Sequence, residues 1–234
     1  MLIEQILTKC LSQMSYYIES NGEALVIDPL REIDPYISRA KKTNSKIKYI
    51  FETHFHADFI SGHLSLSERT GAPIVFGPLA DPKYDFMILN DSEVLRIGNL
   101  KIIALHTPGH TMESTCYLLK DENGKNHSLF TGDTLFLGDV GRPDLAQKSK
   151  NGYGEKYLAR LLYKSLREKI FPLEDNVIIY PSHGFGSACG KKISKKTMAL
   201  LGDEKKTNYA LNHNISENDF INELVTGLEK PPKY

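Results

Sequence analysis

Two imidazoles and a carboxylate stand at alternate positions in Thr53-His54-Phe55-His56-Ala57-Asp58-Phe59, directly behind the apolar run Lys48-Tyr49-Ile50-Phe51. In an extended backbone, side chains at i, i+2 and i+4 share one side. His54, His56 and Asp58 are therefore expected to converge. Convergent nitrogen and oxygen donors are what a metal ion requires and a hydrophobic core does not. The same ligand types recur downstream, each where an apolar run gives way to glycine or proline. These are His110 in Thr107-Pro108-Gly109-His110, Asp133 in Thr131-Gly132-Asp133, and His183 in Tyr180-Pro181-Ser182-His183-Gly184. One cluster would pass for a surface loop. Four predict a metal site.

The elements that must carry these residues are legible from pattern. Leu2 to Leu7 reads as a strand, and Ser15 to Glu19 with Glu23 to Ile27 flank Asn21-Gly22, a hairpin signal. Asp34-Pro35 supplies an N-cap and a first-turn proline for a helix to about Lys42. Lys48 to Phe51 is the next strand, and a helix is expected from near Asp58 to Gly71. Short strands follow at Ile74 to Phe76, Glu93 to Ile97, Leu100 to Leu105, Ser114 to Leu119 and His127 to Phe130. From Gly154 to Ile170, Tyr157, Leu158, Leu161, Leu162, Leu166 and Ile170 recur at helical spacing, and Pro172 ends the run. Val177 to Tyr180 is a buried-type strand leading to His183. Ser216 with Asp219 forms a capping box for a last helix carrying Phe220, Ile221, Leu224 and Leu228. Lys191 to Lys206, lysine-rich but interrupted by Ile193, Met198, Leu200 and Leu201, reads as a solvated helix face. This order predicts an α/β layered protein, two mixed β-sheets flanked by helices.

At 234 residues the chain is long enough for a substantial core. Lys+Arg 29 against Asp+Glu 29 gives a formal net charge of +0, so nothing in the balance calls for nucleic acid or a membrane surface. No apolar stretch approaches the roughly 20 residues needed to span a bilayer. The N-terminus lacks the basic start and apolar run of a secretory signal, so a cytoplasmic location is expected. Cys10, Cys116 and Cys189 are too few and scattered for a disulfide framework. Cys116 reads as a core residue. Cys189, in a glycine-rich loop after His183, is either an incidental thiol or one whose thiolate Lys191 and Lys192 favour.

The ordered set Thr-His-Phe-His-Ala-Asp, Thr-Pro-Gly-His, Thr-Gly-Asp and Pro-Ser-His-Gly resembles the metallo-β-lactamase superfamily and covers most of the chain. Within it, the chain is most similar to persulfide dioxygenases, especially those fused to rhodanese domains. Glu52 through Phe59, Ser61-Gly62-His63 and Gly138 through Leu145 carry that closer likeness. The resemblance implies an αββα sandwich over residues 1–230. It also implies that residues 231–234, Pro-Pro-Lys-Tyr, begin a linker towards a rhodanese domain. It implies the reaction of a low-molecular-weight thiol persulfide, R–S–SH + O2 + H2O → R–SH + sulfite + two protons. One Fe(II) per chain would be held by His54, His110 and Asp133, with zinc as a substitute. His56, Asp58 and His183 would surround those ligands, and Arg142 would help bind the anionic carrier unless it serves as a capping or salt-bridging arginine. His63 and His106 are expected to be structural, and His127 and His213 to lie on the surface.

One departure bears on the metal count. Two-metal hydrolases of the superfamily commonly follow the aspartate with a histidine, whereas Phe59 stands here. A phenyl ring offers no lone pair, and two imidazoles with one carboxylate leave open positions of the kind non-haem iron oxygenases use. The alternatives are a glyoxalase II-like zinc thioester hydrolase and, from a different class, a scaffold or thiol-transfer partner of a rhodanese. The carrier thiol (glutathione, coenzyme A or another) and self-association into a homo-oligomer are left open.

Overall fold

The computed structural model describes residues 1–145, 154–228 and 230. The expected linker at 231–234 lies outside them. Alternating apolar residues build two six-stranded sheets that pack face to face. The first contains β1 (Leu2–Thr8), β2 (Gln13–Ser20), β3 (Glu23–Ile27), β4 (Lys46–Phe51), β5 (Ile74–Phe76) and β6 (Met87–Ile88), hydrogen-bonded in that order. The pairs β1–β2 and β2–β3 are antiparallel, and the remaining pairs are parallel. The second sheet contains β7 (Val94–Ile97), β8 (Leu100–His106), β9 (Thr115–Lys120), β10 (Asn126–Gly132), β11 (Ile178–Pro181) and β12 (Ala199–Leu200), again neighbours in that order. Only β10–β11 is parallel there.

The period-2 pattern decides which side chains meet. Tyr16, Ile18, Leu25, Ile27 and Phe51 face inward from the first sheet against Ile102, Ala104, Tyr117, Leu119 and Phe130 of the second. Their neighbours point outward. Tyr17, Ala24, Val26, Ile47 and Ile50 pack under α1 (Asp34–Thr43) and α2 (His63–Thr70) through Tyr36, Ala40 and Leu66. Leu118, Leu129 and Ile179 pack under α3 (Glu155–Ser165) and α5 (Glu217–Val225) through Ala159, Leu162, Phe220 and Leu224. The result is the expected αββα sandwich. Among the described residues no helix is long and apolar enough to cross a membrane.

Four element expectations need correcting. Ile33, not Asp34, occupies the N-cap of α1, which places Asp34 and Pro35 inside the first turn. The helix expected from Asp58 starts only at His63, because Asp58 is drawn towards His183 and Gly62 N–H donates to the Pro29 carbonyl. The helical run after Gly154 keeps its length, but Leu166–Ile170 is a π turn. In the lysine-rich stretch only α4 (Leu201–Thr207) is helical, since the Lys191 and Lys192 amides donate to the Asp139 carboxylate instead. The capping box holds, with the Asp219 amide donating to Ser216 Oγ at 3.1 Å.

Candidate metal centre

The chemistry-bearing residues all sit on strand ends at one edge of the sandwich. His54 follows β4, Asp133 follows β10, His183 follows β11, and His110 lies in the loop between β8 and β9. Gly132 takes a left-handed φ of 54° beside a register shift in the β10–β11 pairing, and this turns Asp133 off the sheet. An added Cβ there would lie 2.7 Å from Thr53.

His54, His110 and Asp133 are buried, and their ligand atoms lie within 4.8 Å of one another. His54 Nε2 is 3.8 Å and His110 Nε2 is 3.5 Å from Asp133 Oδ2, which has no hydrogen-bond partner although it is buried. The tautomers are set from behind. His110 Nδ1 lies 2.8 Å from the Arg142 carbonyl, which can only accept, so the proton is on Nδ1 and the Nε2 lone pair is free. Thr53 Oγ1 donates to Asp28 Oδ2 at 2.8 Å and accepts from His54 Nδ1 at 2.9 Å, which frees the second Nε2 in the same way. Burial disfavours the charged form of His54, and the neighbouring His56 and His110 add to this, so its pKa falls well below the ordinary value. Burial opposes ionisation of Asp133, but His183, His54 and His110 outweigh it and hold that carboxyl well below the usual range. Two imidazoles backed at Nδ1 and an anionic carboxylate, with an orphaned buried oxygen, fit a divalent cation.

The run His54, His56, Asp58 does not stay extended, so the expected convergence on one side fails. The three residues serve three neighbouring groups. His56 Nε2 sits 3.2 Å from Asp28 Oδ1 and 3.3 Å from Glu52 Oε2, and its ring lies 4.2 Å from that of His54. Glu52 in turn lies 3.2 Å from His63 Nδ1. Phe59 tilts its ring over His56 at 4.4 Å. Asp58 instead joins His183 and Cys189. His183 Nδ1 donates to Asp133 Oδ1 at 2.7 Å. Burial would lower its pKa, but Asp133 and Asp58 reverse that and push it up to about 10.

At the rim the thiolate expectation for Cys189 changes, and Arg142 takes the salt-bridging alternative. Cys189, in the glycine-rich loop after His183, is buried. Lys191 Nζ donates to carbonyls at the end of α5, and Lys192 Nζ pairs with Glu223. Burial, reinforced by Asp133 and Asp58, pushes the thiol up rather than favouring thiolate. The Arg142 guanidinium makes a bidentate pair with Asp144 at 2.6 Å and reaches the Ala188 carbonyl, so much of its charge is matched within the chain. His106 Nε2 contacts the Met112 carbonyl and braces the His110 loop. Pattern reading missed the supports Asp28, Glu52, Thr53 and Glu113. Ile27-Asp28-Pro29 carries the signal used elsewhere, an apolar strand giving way to a carboxylate and proline.

Above the triad opens a cavity of about 240 Å³. His54, Asp58, His110, Asp133 and Cys189 form its polar floor, and Phe55, Ala57 and Leu145 line its walls with Thr111 and Glu113. Fold and site together define a metal-binding αββα protein with its centre at one sheet edge.

The chain belongs to the metallo-beta-lactamase superfamily, whose family model matches residues 8–183. A probable hydroxyacylglutathione hydrolase of Schizosaccharomyces pombe is 32% identical over 219 residues, 91% of this chain and 77% of that protein. The mitochondrial persulfide dioxygenase ETHE1 of Homo sapiens is 34% identical over 166 residues, 70% of this chain and 59% of that protein. The crystal structure of a metallo-beta-lactamase from Staphylococcus aureus superposes with a TM-score of 0.87 at 36% identity, covering 99% of this chain and 69% of that one.

Proposed function

We propose that the protein is a persulfide dioxygenase, oxidising a low-molecular-weight thiol persulfide with O2 to sulfite and the free thiol. The observation that carries this reading is the donor set. Two imidazoles and one carboxylate converge with free lone pairs, while Phe59 lays an apolar ring on His56 and offers no further nitrogen. His54, His110 and Asp133 would hold one Fe(II). Bound there, iron supplies the one-electron chemistry that lets a spin-paired persulfide react with O2.

The chain's own residues do the rest. Arg142 C=O and Thr53 Oγ1 keep both imidazoles in the ligating tautomer, and His183 holds a proton on Nδ1 against Asp133 Oδ1. Phe55, Ala57 and Leu145 give the walls an apolar lining, which suits a soft sulfur terminus approaching the triad. At the floor, protonated His183 and the Asp58 carboxylate pair at 2.7 Å and keep the charge beside the triad fixed.

A second reading, a zinc-dependent thioester hydrolase, is favoured by the likeness to hydroxyacylglutathione hydrolases and by the adjacent Asp58, His183 and Cys189 group. Anaerobic purification followed by metal analysis and oxygen uptake separates the two. The dioxygenase reading expects about one iron per chain and O2 consumption coupled to sulfite release from a thiol persulfide. Two zinc ions, both needed for hydrolysis of an acyl-thiol and without O2 uptake, would overturn it.

A further inference from the structure

We propose that Glu113 sets which thiol carrier the cavity accepts, by pairing with a positively charged amine two carbons from the sulfur. The inference rests on the persulfide reading above and narrows its substrate to aminothiols of the cysteine type. The described residues that line the cavity include three carboxylates, Asp58, Glu113 and Asp133, and no lysine or arginine. Two of the three are matched. Asp133 belongs to the triad and accepts from His183 at 2.7 Å, and Asp58 pairs with the same protonated ring. Glu113 has no cationic partner among the described residues, although only 8% of it is exposed.

The two loops that carry the triad histidines fix its position. Glu113 lies three residues beyond His110, and its Oε1 accepts from the amide of Phe55, the residue after His54, at 3.0 Å. Oε2 has no hydrogen bond among the described residues. Bracing the two loops needs only an acceptor for the Phe55 amide, which glutamine would supply as well. The charge is left for a ligand. Phe55, Ala57 and Leu145 make the adjoining wall apolar, and a carboxylate in such surroundings is costly unless an opposite charge meets it. Phe55 also adds an aromatic ring, a surface that attracts cations.

The triad and Glu113 line one cavity, so a carrier whose sulfur reaches the triad brings its adjoining carbons past Glu113. A free ammonium there makes a charge-assisted hydrogen bond to Oε2. An amide N–H in its place can donate, but it leaves the carboxylate's charge unmatched. Carriers of the cysteine type with an unacylated amine are therefore preferred over glutathione and coenzyme A, whose corresponding nitrogen is acylated.

Thiol binding tests this without turnover. Full-chain protein loaded with cobalt(II) is titrated anaerobically with cysteamine and with N-acetylcysteamine, and thiolate-to-cobalt absorption is followed. Both affinities are measured in the wild type and in Glu113→Gln, which keeps an acceptor for the Phe55 amide. Comparing the ratio of the two affinities between proteins cancels each thiol's own acidity and chelation. The preference for cysteamine should fall about 10-fold in Glu113→Gln, with cobalt retained and the fold intact by circular dichroism. An unchanged ratio would overturn the proposal, whether both affinities stay or both fall together. The wild type gives a second test that needs no variant. Thiocholine, a permanent cation that cannot chelate through nitrogen, is compared with its neutral carbon isostere at equal thiolate concentration. Tighter binding of thiocholine is expected, and equal affinity would also overturn the proposal. Failure of the dioxygenase reading would appear separately, as absent oxygen uptake by iron-loaded protein with every thiol persulfide.

Discussion

Each donor in this centre works because of the atom behind it. His110 and Asp133 contribute lone pairs directly, so His110→Ala or Asp133→Ala should abolish metal retention after gel filtration. His183 acts on Asp133 through a 2.7 Å hydrogen bond, so His183→Ala should keep the first metal and lower turnover by about 10–100-fold. Loss of metal as complete as in His110→Ala would refute that division. The same histidine gives the metal-free protein a pH signature. Its pKa rises from about 6.5 in an unfolded chain to about 10 in the fold. A raised folded-state value means the contribution is fully present below the unfolded pKa and is lost as pH rises through the folded one. The melting temperature of metal-free protein should fall between those two values, and His183→Asn should flatten the fall. Phe59 is the residue that speaks to reaction type. Phe59→His restores a nitrogen beside Asp58 and should raise second-metal occupancy in zinc-supplemented protein while weakening sulfite production. Phe59→Leu should do neither. Identical metal content and sulfite yield in the two variants would reduce Phe59 to a packing residue.

At the scale of elements, strand ends and tight loops place these atoms. Gly141 is the clearest case. A Cβ there would fall 2.0 Å from the Asp133 carbonyl oxygen and 2.9 Å from His110 Nδ1, so only glycine lets the 138–145 loop bring the Arg142 carbonyl to His110. Gly141→Ala should therefore push that carbonyl away and unlock the His110 tautomer. The expected loss is about 10–100-fold in metal affinity with the fold retained, measured by competition with a chelator. Unchanged affinity would show that the carbonyl is dispensable.

The whole molecule sets the spacing between the two sheets, and with it the distance from His54 on the first sheet to Asp133 on the second. Phe130 lies between them, stacked on Tyr180 at 5.3 Å and edge-on to Tyr16 at 4.9 Å, three residues before Asp133. Phe130→Ala should cost about 3–5 kcal/mol of stability and weaken metal binding in the folded protein, because the cavity it leaves lets the sheets approach. Leu224→Ala, in the outer layer between α5 and the second sheet, should cost about 2–5 kcal/mol with metal affinity unchanged. Equal affinity losses in both variants would mean that global destabilisation, not sheet spacing, controls the site.

Much of this was legible in the residues alone. Strand and helix order followed from apolar period, because which face a side chain takes is a local property of the backbone. Ligand types recurring at strand ends supplied the candidates, and the resemblance to the metallo-β-lactamase superfamily singled out His54, His110 and Asp133 among them. What local pattern could not supply was grouping. His54, His56 and Asp58 look equivalent by spacing, yet the chain bends after β4 and commits one to the triad, one to Asp28 and Glu52, and one to His183. Cys189 read as a thiol in a glycine-rich loop, and only the packing of that loop against Asp139 and Arg142 buries it beside Asp58. Spacing fixes direction along one strand. Which donors share a point depends on segments far apart in the chain, as when Ser182 reaches Asp28 across 154 residues, and only the closed sandwich brings those together.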